Sequence, residues 1–145
     1  MLRTVLLLSA LNVGGVALRS DLSPQRAACS ILTLQEVRTI VGAPVNVFAE
    51  ASFPPKKEDE TTISTCTYAT GGPKNRGARV ILMWGTSAHL ADINGYYAKR
   101  NKEIAKIRGD MLVLASVMDT SPAGFTDDRP ATEKLLAAVL AKLTP

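Results

Sequence analysis

The residues of this chain whose types and spacing could do chemistry are few. They are two cysteines (Cys29 and Cys66), one histidine (His89), and some short acidic and basic clusters. Cys29 and Cys66 lack the C-x-x-C spacing of a redox or metal pair, and no second ligand cluster accompanies them. Two cysteines leave one internal disulfide to form, and closing that loop is worth about 3–4 kcal/mol in the chain-entropy account. If both are consumed, no thiolate remains for a Cys–His pair. His89 then has no positioned nucleophile, and it falls in the first turn of an expected helix, where the helix dipole disfavours its charged form. The sequence contains no Gly-x-Ser-x-Gly, His-Glu-x-x-His or phosphate-loop pattern.

The remaining clusters have simple structural accounts beside any functional one. Glu58-Asp59-Glu60 and Asp127-Asp128 could attract a cation, yet neither has calcium-loop spacing. Asp127 and Asp128 precede an expected helix, where carboxylates cap free amides. Gly71-Gly72 to Gly77 is glycine-rich but lies between two expected strands, so it reads as a hairpin turn. Lys99, Arg100, Lys102, Lys106 and Arg108 form a basic stretch, and the i, i+4 spacing of Lys102 and Lys106 puts them on one helix face. Such a face could meet anionic envelope material such as phospholipid headgroups or cell-wall polymers, or simply be solvated. Nucleic acid is not an expected partner, because no aromatics are interleaved for base stacking. Trp84, Tyr96 and Tyr97 are candidates for a small-ligand pocket, the alternative being that they pack in the core. No cofactor or metal site is expected.

The elements that must position these residues can be read along the chain. A lone Arg3 precedes the apolar run Thr4 to Leu11, and Gly15-Val16-Ala17 offers a small-x-small cleavage signal, the layout of a secretory signal peptide over residues 1–17. The run is short of the roughly 20 residues a membrane span needs. A lipid anchor is not expected, because Cys29 lies too far beyond the apolar core. Residues 18–28 read as a linker, and residues 29–145 as a single globular domain. Thr33 and Glu36 make a capping box, Leu34, Val37, Ile40 and Val41 an apolar stripe, and Gly42 a C-terminal cap, so a short helix is predicted. Strands are predicted at Val45 to Phe48, Thr61 to Thr70, Ala78 to Trp84 and Met111 to Val117. Glu50 to Glu60 and Asp119 to Arg129 read as loops. A helix capped by Ser87 is predicted to run to about Arg108, with Ile93, Tyr97, Ile104 and Ile107 inward. A last helix runs from Ala131 to Leu143, with Pro130 in its first turn.

The chain resembles a group of small exported bacterial domains of unknown function, many of them periplasmic proteins or lipoproteins. The likeness rests on Cys29, Leu32-Thr33, Glu36-Val37, Gly42, Cys66-Thr67-Tyr68 and the Gly109-Asp110 turn. It implies an α+β domain in which a small antiparallel sheet of about four strands packs with about three helices. It also implies that the Cys29–Cys66 disulfide staples the first helix to the sheet. It implies no reaction. The expectation is an exported, periplasmic or secreted domain that is non-enzymatic and binds an envelope protein or a small ligand. An extracytoplasmic enzyme or enzyme inhibitor and a protein of anionic membrane surfaces are the alternatives.

Overall fold

The computed structural model describes residues 25–99 and 104–143. The expected signal peptide, most of the linker, and Arg100 and Lys102 lie outside these residues. The described chain forms one antiparallel sheet of seven strands with three α-helices. In chain order these are α1 (Leu34–Val41), β1 (Asn46–Val47), β2 (Phe53–Glu58), β3 (Thr61–Ala69) and β4 (Asn75–Trp84). They are followed by α2 (Ser87–Ala98), β5 (Ile104–Arg108), β6 (Met111–Ser121), β7 (Gly124–Asp127) and α3 (Arg129–Leu143).

The long strands β3, β4 and β6 pair side by side along their length. Each outer flank is shared by two short strands laid end to end. β2 and then β1 pair with β3, and β5 and then β7 pair with β6. Alternation along the strands sends side chains to two faces. On the first face, Val80, Leu82, Val113 and Val117 pack with Val37 and Val41 of α1 and with Leu135 and Val139 of α3. On the second, Ile81, Met83, Leu112 and Leu114 pack with Leu90, Ile93 and Tyr97 of α2.

The helix ends follow their sequence signals. Thr33 Oγ1 accepts from Glu36 N–H while Glu36 Oε2 accepts from Thr33 N–H, completing the capping box of α1. Gly42 closes that helix at φ 70°, a left-handed conformation that glycine adopts without steric cost. Asp128 Oδ1 accepts from Ala131 N–H at the start of α3. Thr86, one residue before the expected Ser87, caps α2 by accepting from His89 N–H.

The sheet has seven strands rather than about four, and the disulfide is not a helix-to-sheet staple. Cys29 and Cys66 are bonded, with Cα atoms 4.9 Å apart, but Cys29 sits in a single 3-10 turn, Ala28–Ser30, that precedes α1. That turn is held on the sheet a second time, where Ala28 N–H donates to Ser64 Oγ at 2.9 Å and Ser64 Oγ donates to Phe53 C=O. The additional strands come from two segments read as loops and one read as helix. Phe53–Glu58, with two prolines and two lysines, forms β2 at the rim, where proline leaves no ladder donor missing and lysine discourages edge pairing. Gly124–Asp127 folds back on β6 as β7. α2 stops at Ala98, and Ile104–Arg108 forms β5. Ile104 and Ile107 share a face at helical spacing, but in a strand their odd separation sends them to opposite faces. Ile104 joins the first core and Ile107 the second.

Candidate functional site

The two faces of the sheet are covered unequally. Cross-strand register sorts the second face into rows. Ile63, Met83, Leu112 and Ile107 form one, and Thr65, Ile81, Leu114 and Ala105 the next. Both lie on the apolar, α2 side of the face. The third row is Thr67, Arg79 and Ser116, and the fourth is Ala69, Gly77 and Met118. Over these two rows none of the described helices packs, and apart from Arg79 and Met118 the residues are small or polar.

The third row is also where both flanks of the sheet change strands. On one side, Phe48 N–H donates to Thr67 C=O, Thr67 N–H donates to Ser52 Oγ, and Thr67 Oγ1 donates to Ala51 C=O. On the other, Val117 N–H donates to Thr132 Oγ1 and Asp128 N–H donates to Val117 C=O, so the start of α3 fills the gap between β5 and β7. Side chains and loop backbone satisfy the strand groups that no neighbour pairs. The sheet is therefore three strands wide at this level.

A cavity of about 260 Å³ lies over this region. Its floor includes Thr67, Gly77 and Ser116, and Arg79, Met118 and Asn75 also line it. Phe48, beside β1, and Phe125, on β7, reach it from opposite flanks, and both are large exposed apolar side chains at 46% and 65%. Gly77 belongs in this floor for a steric reason: a Cβ there would lie 2.9 Å from Tyr68 O. Ser116 is 1% exposed, and its Oγ is buried without a hydrogen-bond partner. A buried hydroxyl left unpaired costs free energy.

No family model, curated protein or solved structure matches this chain.

The residues singled out from sequence do not share one site. Trp84 is buried at 4% on the first face and contributes to an open cavity of about 780 Å³ with Lys57, Glu60, Thr86 and Asp110. Tyr96 and Tyr97 stack edge to face at 5.4 Å and line a different cavity, with Ile63 and Met83 on the second face. Of the basic residues, Lys99 lies at the end of α2 and Lys106 on β5, both exposed, so the expected single helix face is not formed by them. Cys29 and Cys66 are joined, and no described cysteine is free. A disulfide belongs to an oxidising compartment. No described helix is long and apolar enough to cross a membrane. Among the described residues, no group of three or more His, Cys, Asp or Glu is placed to hold a metal ion.

Sequence reasoning missed the groove over Thr67, Arg79 and Ser116. Its residues come from four separate strands, β3, β4, β6 and β7, and from the 3-10 turn Ala49–Ala51 with Phe48 before it. One signal was present: Phe125 and Phe48 are large apolar residues in segments otherwise read as loop or strand end.

Proposed function

We propose that this chain is an exported, non-enzymatic binding domain, acting in the periplasm or outside the cell, that seats a small and largely apolar ligand on the half of its sheet that none of the described helices covers. The observation that carries this reading is the unpartnered Ser116 hydroxyl in a groove reached by two exposed phenylalanines. Binding sites combine apolar walls with a few placed polar groups, and this groove has both. The disulfide supports an extracytoplasmic setting.

Amide shift mapping of the labelled protein with neutral single-ring fragments tests the reading. Shifts centred on Thr67, Gly77 and Ser116 are expected. Shifts confined to the α1 and α3 side, or none at millimolar fragment, would remove it.

A further inference from the structure

We propose that β5 is a docking edge that takes up an extended acidic segment of another protein as an added strand. β5 ends the strand order on one side of the sheet. Its 5 residues, Ile104–Arg108, contain no proline and keep an unbroken register with β6. Of the other rim strands, β2 carries Pro54, Pro55 and a register shift, while β1 has 2 residues and β7 has 4. An added strand needs free backbone donors and acceptors along its new neighbour, and β5 is the described rim strand that suits it.

The ladder fixes where those groups point. Val117 turns its N–H and C=O toward this flank, where they meet Thr132 Oγ1 and Asp128 N–H. Bonding alternates along an antiparallel strand, so Val113 and Met111 turn the same way and bond Lys106 and Arg108, their partners in register. Ala105 and Ile107 therefore turn their N–H and C=O outward, and among the described residues nothing pairs with these groups.

The side chains set the chemistry of the partner. Lys106 and Arg108 stand on the first face, because Val113 and Met111 opposite them belong to the first core. Both are exposed, and no carboxylate among the described residues pairs with either. Antiparallel pairing with β5 of a second copy, Ala105 opposite Ile107, sets Lys106 against Lys106 with Cα atoms about 4.5 Å apart. Like charges directly opposite are destabilising, so the edge disfavours its own kind. A segment with carboxylates at alternate positions instead places one opposite Lys106 and the next beside Arg108. Its intervening side chains then lie on the face of Ile107.

The capped peptide Val-Glu-Val-Glu-Val, its Val-Lys-Val-Lys-Val counterpart, and the first peptide N-methylated at its valines are titrated separately into the full domain. The glutamate peptide is expected to bind about tenfold tighter than the lysine peptide or more. It should also slow hydrogen exchange at Ala105 and Ile107, whose outward N–H groups become bonded. The N-methylated peptide should lose that binding. Lys106→Glu with Arg108→Glu should reverse the preference between the charged peptides, its thermal unfolding confirming that it is folded. Equal binding of the two charged peptides, or full binding of the N-methylated one, overturns the proposal. So does no binding at millimolar peptide, which leaves Lys106 as a guard against edge pairing. The groove takes no part in this test, so its reading stands or falls separately.

Discussion

Arg76 of β4 donates from Nη2 to Oδ2 of Asp128, the residue that caps α3, 52 positions along the chain. Its Nη1 donates to Asp119 Oδ2 at 2.7 Å and its Nε to Val41 C=O at 2.6 Å. One guanidinium thereby ties the end of α1, strand β6 and the foot of α3 to the central strand. A planar fork of donors can do this, and a lysine ammonium cannot reach all three. Arg76→Gln should therefore cost about 2–3 kcal/mol in urea unfolding, and Arg76→Lys at least about 1 kcal/mol. A double-mutant cycle with Asp128→Asn should show coupling. Purely additive losses would mean that the pair is not a working clamp.

Two carboxylates give the fold an acid limb. Glu36 is held down to about 2, first by the bond from Thr33 N–H and then by the Lys142 ammonium 3.0 Å away. Asp128 is held below its ordinary value, chiefly by Arg76. Both are favoured in their charged forms when folded. Their contribution is present above the unfolded values and is lost as pH falls through the folded ones. For Glu36 that window runs from 4.5 down to about 2. Unfolding midpoints measured between about pH 6 and about pH 2.5 should fall on acidification, and Glu36→Gln should flatten the lower part of the curve. An unchanged acid limb in that variant would show that Glu36 does not contribute to it.

What the sequence made legible was local. Thr33, Glu36 and Gly42 carry their capping chemistry within ten residues, and α1 forms where they place it. Gly109, at φ 58°, turns β5 into β6 as a Gly-Asp pair should. What it obscured depended on neighbours. Pro54 and Pro55 read as a loop because the pattern could not show that β2 has a partner on one side only. Ile104 and Ile107 satisfied a helical period and a strand's two-sided packing equally well, and only the partner β6 decides between them. The groove was the least legible, because Thr67, Arg79 and Ser116 are brought together by register alone.

The Cys29–Cys66 bond closes a separation of 37 residues and holds the segment before α1 against β3. Replacing both cysteines by serine should lower stability by about 3–4 kcal/mol, mostly through a freer unfolded chain. Mass analysis of the native protein under non-reducing conditions should find no free thiol. Two free thiols would dismiss both the staple and the compartment inferred from it.

Gly77 is held small by its neighbour's backbone. Because the added methyl would meet Tyr68 O at 2.9 Å, β3 and β4 must move apart to admit it. Gly77→Ala should cost about 1–3 kcal/mol, the usual range for overpacking. The same methyl alters the floor of the groove and should weaken fragment binding there. A variant as stable as the parent would show that the strands give way without cost.

Ser116 separates stability from binding in a way that other substitutions do not. Its Oγ is buried and unpaired, so removing it abolishes a desolvation cost and leaves only a small void. Ser116→Ala should be neutral or more stable by up to about 1 kcal/mol, unlike most changes at a fully buried position. If the hydroxyl serves a ligand, the same variant should bind the single-ring fragments several-fold more weakly while its unfolding midpoint holds or rises. Loss of stability would show that the hydroxyl has a partner in the folded protein. Unchanged affinity in a folded variant would show that the hydroxyl does not touch the ligand. Polar groups kept at a cost to the fold are found where function uses them, and Ser116 is where this sheet keeps one.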